Sequence, residues 1–127
     1  MNRPDGVPAE FEVRTVVFLR RGTDPPQLTE DDSEALQNAH LAYLADLSRR
    51  GLIAANGPLV DQSDSTLRGM SVYTVATDEA LLLAAADPAV RAGRLRVDVA
   101  RWCVGTGRVD FPAYGRPVGD RVAFEDL

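Results

Sequence analysis

TEDDSEALQNAHLAYLADLSRRGLIAANGPL, residues 29–59, reads as an amphipathic helix, a glycine stop, a short buried strand and a Gly-Pro break. Thr29 is a suitable helix N-cap, and Glu30, Asp31 and Asp32 put negative charge in the first turn, where the helix dipole favours it. Arg49 and Arg50 carry the complementary sign in the last turn, and Gly51 is the expected residue just past the end. The only histidine of the chain, His40, lies in the middle of this helix. Leu36, Tyr43, Leu44 and Leu47 recur around it at helical spacing, which puts the imidazole on the apolar stripe. An inward-facing histidine is either a satisfied polar group of the core or part of a site.

Outward from this stretch, residues 1–10 hold two prolines and a glycine and read as an irregular lead-in. Phe11 to Arg20, FEVRTVVFLR, is a strand whose first half alternates and whose second half, Val16 to Leu19, is apolar on both faces. Gly22 to Gln27 breaks it with two prolines. Beyond the helix, Leu52 to Asn56 is a short strand ended by Gly57-Pro58, and Leu67 to Ala76 a third strand. Thr77-Asp78 can cap a second helix running to Ala86, with Leu81, Leu82 and Ala85 as its apolar face. Asp87-Pro88 interrupts it, Ala89 to Gly93 makes one more turn, and Leu95 to Val104 alternates as a last strand.

Strand, helix, strand, strand, helix, strand is the order of split βαβ units: an α+β, ferredoxin-like βαββαβ fold with a four-stranded antiparallel sheet and both helices on one face. The domain is expected over residues 11–104, with residues 105–127, which include Phe111, Tyr114 and Phe124, as an irregular extension that crosses a partner subunit. Because the first strand is apolar in both phases, a homodimer packed sheet to sheet is expected.

Composition narrows the function classes. At 127 residues and 45% hydrophobic, the chain is sized for one domain. A net charge of −5 speaks against nucleic-acid binding, which needs a basic patch to displace counterions. All 14 basic residues are arginine, so lysine Schiff-base chemistry is excluded. Cys103 is the single cysteine and has no internal disulfide partner. No signal-peptide core opens the sequence, and the most hydrophobic run, Ala80 to Ala86, is too short to span a bilayer. A cytoplasmic, membrane-free protein is expected.

The combination of AHLAYLADLSRRGLIAANGPL, a D-P-x-V-x-A-G turn (Asp87, Pro88, Val90, Ala92, Gly93) and the closing strand VDVARW resembles the YciI-like (YCII-related) proteins over about Val13 to Val104. The resemblance implies a ferredoxin-like dimeric α/β barrel with a pocket between the first helix and the sheet. It also implies a catalytic pair, a histidine on the first helix and the aspartate of the Asp-Pro turn, matching His40 and Asp87. Two departures stand out. Ala89 follows Asp-Pro where the family often has an aromatic ring, which would widen a pocket lined by that ring. Asn56 to Leu59 reads Asn-Gly-Pro-Leu rather than the Asp-Gly-Pro-Phe of a related subgroup.

Each candidate has a bland counterpart. His40 can be a core histidine, and Asp87 a simple turn former before proline. As a pair they make chemical sense: imidazole suits proton transfer near neutrality, and a carboxylate on one ring nitrogen fixes the tautomer and stabilises the imidazolium. Gly57-Pro58 would let backbone approach a ligand, Asp61 and Ser65 would supply hydrogen bonds at the pocket mouth, and Tyr43 a phenolic one, against readings as solvated turn and core. No zinc or calcium spacing and no phosphate loop is present, so neither a metal nor another cofactor is expected. The resulting expectation is a small-molecule lyase or isomerase using His40 and Asp87. A non-catalytic ligand-binding or accessory domain is the alternative, and a haem-dependent or cofactor-free monooxygenase a further one.

Overall fold

The computed structural model describes residues 3–111, 123 and 125. Seven elements follow in order: β1 (Phe11–Arg21), α1 (Glu30–Arg49), β2 (Ile53–Pro58), β3 (Leu67–Tyr73), α2 (Thr77–Ala85), α3 (Pro88–Arg91) and β4 (Leu95–Gly105). The strands form one antiparallel sheet of order β2-β3-β1-β4, with β1 central between β3 and β4. This is the ferredoxin-like α+β arrangement, as an open sheet in the single chain.

Helix α1 is bounded by its own sequence. The Thr29 hydroxyl accepts from the Asp32 backbone N–H at 3.1 Å. At the other end Gly51 takes φ +74°, a conformation that penalises any residue with a Cβ. Its N–H donates to the Ser48 carbonyl and that of Leu52 to Leu47, both at 3.0 Å, which closes the helix as a Schellman motif and turns the chain into β2. The buried residues of α1 are His40, Leu44 and Leu47, one stripe at helical spacing. Leu44 and Leu47 meet Val17 and Leu19 of β1, Ile53, Tyr73, and Ala80 and Ala84 of α2 in the core.

Several boundaries differ from the sequence reading. β2 continues through Gly57-Pro58 instead of ending before it, because it is an edge strand where proline's missing N–H costs no ladder bond. β3 stops at Tyr73, and the N-cap of α2 is Ala76, without a side-chain cap, so that Thr77 is the first helical residue. The buried face of α2 is Ala80 and Ala84 with Leu83 beside them, while Leu82 is 74% exposed and Leu81 also faces outward. Small residues let α2 lie close to the sheet, and the leucines are left on its outer side.

Register places Arg14, Val16, Phe18, Met70, Val72, Ala100 and Trp102 together on the sheet face opposite the helices. Val16 and Val72 are buried there and Trp102 is exposed. The Phe111 ring lies 5.4 Å from the Arg14 guanidinium, so the chain after β4 begins by folding back onto its own sheet. The remainder of the expected C-terminal extension, with Tyr114 and Phe124, lies outside the described residues.

Candidate functional site

His40 and Asp87, 47 positions apart in sequence, are in direct contact. Helix α1 presents the imidazole from its buried stripe, and the α2–α3 junction presents the carboxylate. Asp87 is the N-cap of α3, with Pro88 at the first helical position. Its Oδ1 accepts from the Ala89 N–H at 2.9 Å, and its Oδ2 lies 2.6 Å from His40 Nδ1. The turn-former and ring-partner readings of Asp87 are thus one geometry, with a different oxygen serving each. Asp87 is 1% exposed and His40 8%. A carboxylate this deeply buried requires partners, and the two contacts supply them.

With Nδ1 against a carboxylate, the neutral ring carries its proton on Nδ1 and leaves the Nε2 lone pair free. His40 lines a cavity of about 1190 Å³ between the N-terminal half of α1 and one end of the sheet. Leu41 and Leu44 of α1 give that cavity apolar wall, Leu19 and Ser71 line it from the sheet, and Gly57 and Pro58 line it from the edge strand. Pro25, Pro26 and Leu28, from the linker between β1 and α1, complete one side. Arg21, Arg68 and Arg94 also line it, as do Asp61 and Glu125. Such an arrangement can exchange a proton with a small molecule whose body rests on leucine and whose polar end meets charge.

The other expected site residues divide. Gly57, Pro58 and Asp61 line the cavity. An added Cβ at Gly57 would meet nothing within 4 Å, so this glycine is not required by a close backbone approach. Asp61 adopts φ +57°, a left-handed conformation that aspartate tolerates better than most residues. Ser65 is exposed and is not among the cavity-lining residues. Its loop is organised instead by Asp64, which accepts from the Thr66 N–H and hydroxyl and from Arg20. Those hydrogen bonds, led by Thr66, hold the Asp64 carboxyl below the usual range.

Tyr43 also lies outside the cavity lining, and its hydroxyl donates to the Leu83 carbonyl at 2.7 Å, tying α1 to α2. Burial, with the Asp87 charge nearby, raises its pKa. Ala89 is 1% exposed and packed inside the fold, not on the cavity wall, so its small size does not set the width of the cavity.

Sequence reasoning missed Ser71 and the three arginines. Ser71 is 2% exposed and pairs with Val17 on the helix-facing side of the sheet. The signal was a hydroxyl on the strand phase that also holds Tyr73, a phase that only the structure identifies as the inner one. The arginines come from three separate segments and had no shared sequence signature. Among the described residues, no three His, Cys, Asp or Glu side chains converge as metal ligands would, and no helix is long and apolar enough to cross a membrane.

The YCII-related domain family matches residues 16–103 of the chain. Among solved structures, the chain is similar to 5-chloro-2-hydroxyhydroquinone dehydrochlorinase from Burkholderia phenoliruptrix AC1100, determined in complex with 2,5-dihydroxybenzoquinone. The identity is 22% and the TM-score 0.48, covering 69% of this chain and 92% of that one. No curated protein matches the chain.

Proposed function

Because the chain belongs to the YCII-related domain family, and its one histidine faces a cavity with a carboxylate at its back, we propose that it is a small-molecule lyase or isomerase working by acid–base chemistry at His40. The observation that carries this reading is the 2.6 Å contact between His40 Nδ1 and Asp87 Oδ2 beside an open cavity. In this reading Nε2 removes a proton from a carbon next to a carbonyl. The C–H electron pair forms a new double bond while a β-substituent leaves with its own pair, or the proton is returned at another carbon in an isomerisation. The imidazolium formed is stabilised by Asp87, which stays ionised and keeps the ring oriented.

The test is turnover. The protein is screened by NMR against a panel of carbonyl compounds with β-leaving groups, reading loss of the α-proton and release of the leaving group. Replacing His40 by Gln should lower the rate on any active compound about 10²- to 10⁴-fold, the range for losing a general base. Unchanged turnover in His40→Gln would reject the reading. Ligand binding with no turnover by the wild-type protein would replace it with that of a binding domain.

We also propose that the protein is a homodimer packed through the sheet face that carries Phe18, Met70 and Trp102. Support comes from the exposed indole of Trp102 on a face with no helix over it among the described residues. The free thiol of Cys103, exposed on β4, is in keeping with a reducing, cytoplasmic setting.

A further inference from the structure

We infer that the cavity takes a small organic carboxylate, whose anionic group is held by Arg21, Arg68 and Arg94 and whose body is bonded by the Ser71 hydroxyl. The inference rests on the proposed role of His40 and deepens it by naming the substrate class.

The chain as a whole is acidic, with a net charge of −5, yet three arginines line this one cavity. They come from separate points that the fold brings to the same end of the sheet: the last residue of β1, the second of β3 and the residue before β4. Two acidic residues, Asp61 and Glu125, line the cavity as well, which leaves the arginines in excess. Among the described residues none of the three arginines forms an ion pair, whereas five other arginines do. Arg94 is half-buried and donates from Nη1 to the Ser33 carbonyl at 3.3 Å, a contact that tethers the guanidinium and leaves its other donors for a ligand. A planar fork of donors matches a carboxylate better than any neutral acceptor.

Ser71 is the second, independent observation. It lines the same cavity and is 2% exposed, a hydroxyl set beside apolar wall. A hydroxyl both donates and accepts, so its place on the cavity wall offers a hydrogen bond to a molecule that binds there. Leu41 and Leu44 supply the apolar surface for the body of such a molecule.

Benzoate and benzamide, alike in shape and different in charge, are the probes, titrated calorimetrically against the full-length protein. Benzoate should bind about tenfold or more tightly than benzamide, the usual margin for a charge-assisted hydrogen bond. Arg68→Gln and Arg94→Gln should each weaken benzoate about tenfold while leaving benzamide unchanged. Arg68 is exposed and makes no side-chain hydrogen bond among the described residues, so its variant tests charge without disturbing the fold. Ser71→Ala should weaken both probes about fivefold.

Equal affinity for the two probes would overturn the inference. So would benzoate binding that ignores the arginines, or no saturable benzoate binding up to about 20 mM. His40→Gln keeps the two readings separate. Arginine-dependent benzoate binding with unchanged turnover in His40→Gln would support the anion site and remove the acid–base role. Charge-blind binding with His40-dependent turnover would do the reverse.

Discussion

Tyr73 shows at the scale of one residue how burial shapes the interior around the pair. It is 4% exposed on the inner side of β3, and burial, with Tyr43 and Asp87 close by, pushes its phenol up to about 12. The folded protein therefore holds the Tyr73 proton more tightly than the unfolded chain, whose phenol has the ordinary value of 10.0. The sign follows: this contribution to stability is fully present below pH 10 and is lost as the pH rises from there towards 12. Alkaline titration of tyrosinate absorbance should show a late step that disappears in Tyr73→Phe. A Tyr73→Phe protein that keeps the late step would assign it to another tyrosine. Asp87 carries the same lesson about local surroundings. In sequence it was open between turn former and ring partner, because nothing in Asp-Pro says where the second carboxylate oxygen goes. That oxygen is committed only by α1, which lies 47 positions away at His40.

Elements were legible where local chemistry sets their limits. Helix α1 begins and ends as its caps dictate, since Thr29 and Gly51 act on backbone groups within a turn of themselves. Helix α2 was found, but its inner face was misjudged. Its leucines outweigh its alanines in any hydrophobicity argument, yet close packing on the sheet admits Ala80 and Ala84 and leaves Leu82 outside. The Pro-rich linker between β1 and α1 read only as a break, although Pro25, Pro26 and Leu28 line the cavity. Its path is fixed at Gly22, whose N–H donates to the Arg94 carbonyl at 2.8 Å and where an added Cβ would lie 1.9 Å from the Gly93 carbonyl oxygen. Gly22→Ala must therefore push two backbone segments apart. It should lower stability by about 3 kcal/mol in urea unfolding, at the upper end of overpacking costs. A loss under about 0.5 kcal/mol, the range of ordinary surface changes, would show that the segments yield freely.

For the whole molecule, the order of strands and helices was enough to give the sheet topology, because the split βαβ pattern leaves few alternatives. The cavity was not legible in the same way. It gathers Arg21, Arg68 with Ser71, and Arg94 from three places, and only the closed fold gives them a common address. The family resemblance supplied His40 and Asp87, whereas Tyr43 and Ser65, offered by their positions in the sequence, lie outside the cavity lining. The face opposite the helices bears on assembly. If two chains pack there, Trp102→Glu should convert a dimer to a monomer in sedimentation analysis without unfolding it, since the indole is 38% exposed in the single chain. A Trp102→Glu protein that sediments as the wild type would remove that face from the interface.

The tie between fold and chemistry is the state of one ring. His40 is the only histidine in the chain, so the ¹⁵N NMR spectrum of the imidazole nitrogens contains a single residue and needs no assignment. With the ring neutral, the proton should sit on Nδ1, facing Asp87, and Nε2 should show the shift of a bare, pyridine-type nitrogen. Asp87→Asn should scramble that preference. A ring protonated on Nε2, with Nδ1 bare, would contradict the pairing and with it His40 as the base that faces the cavity.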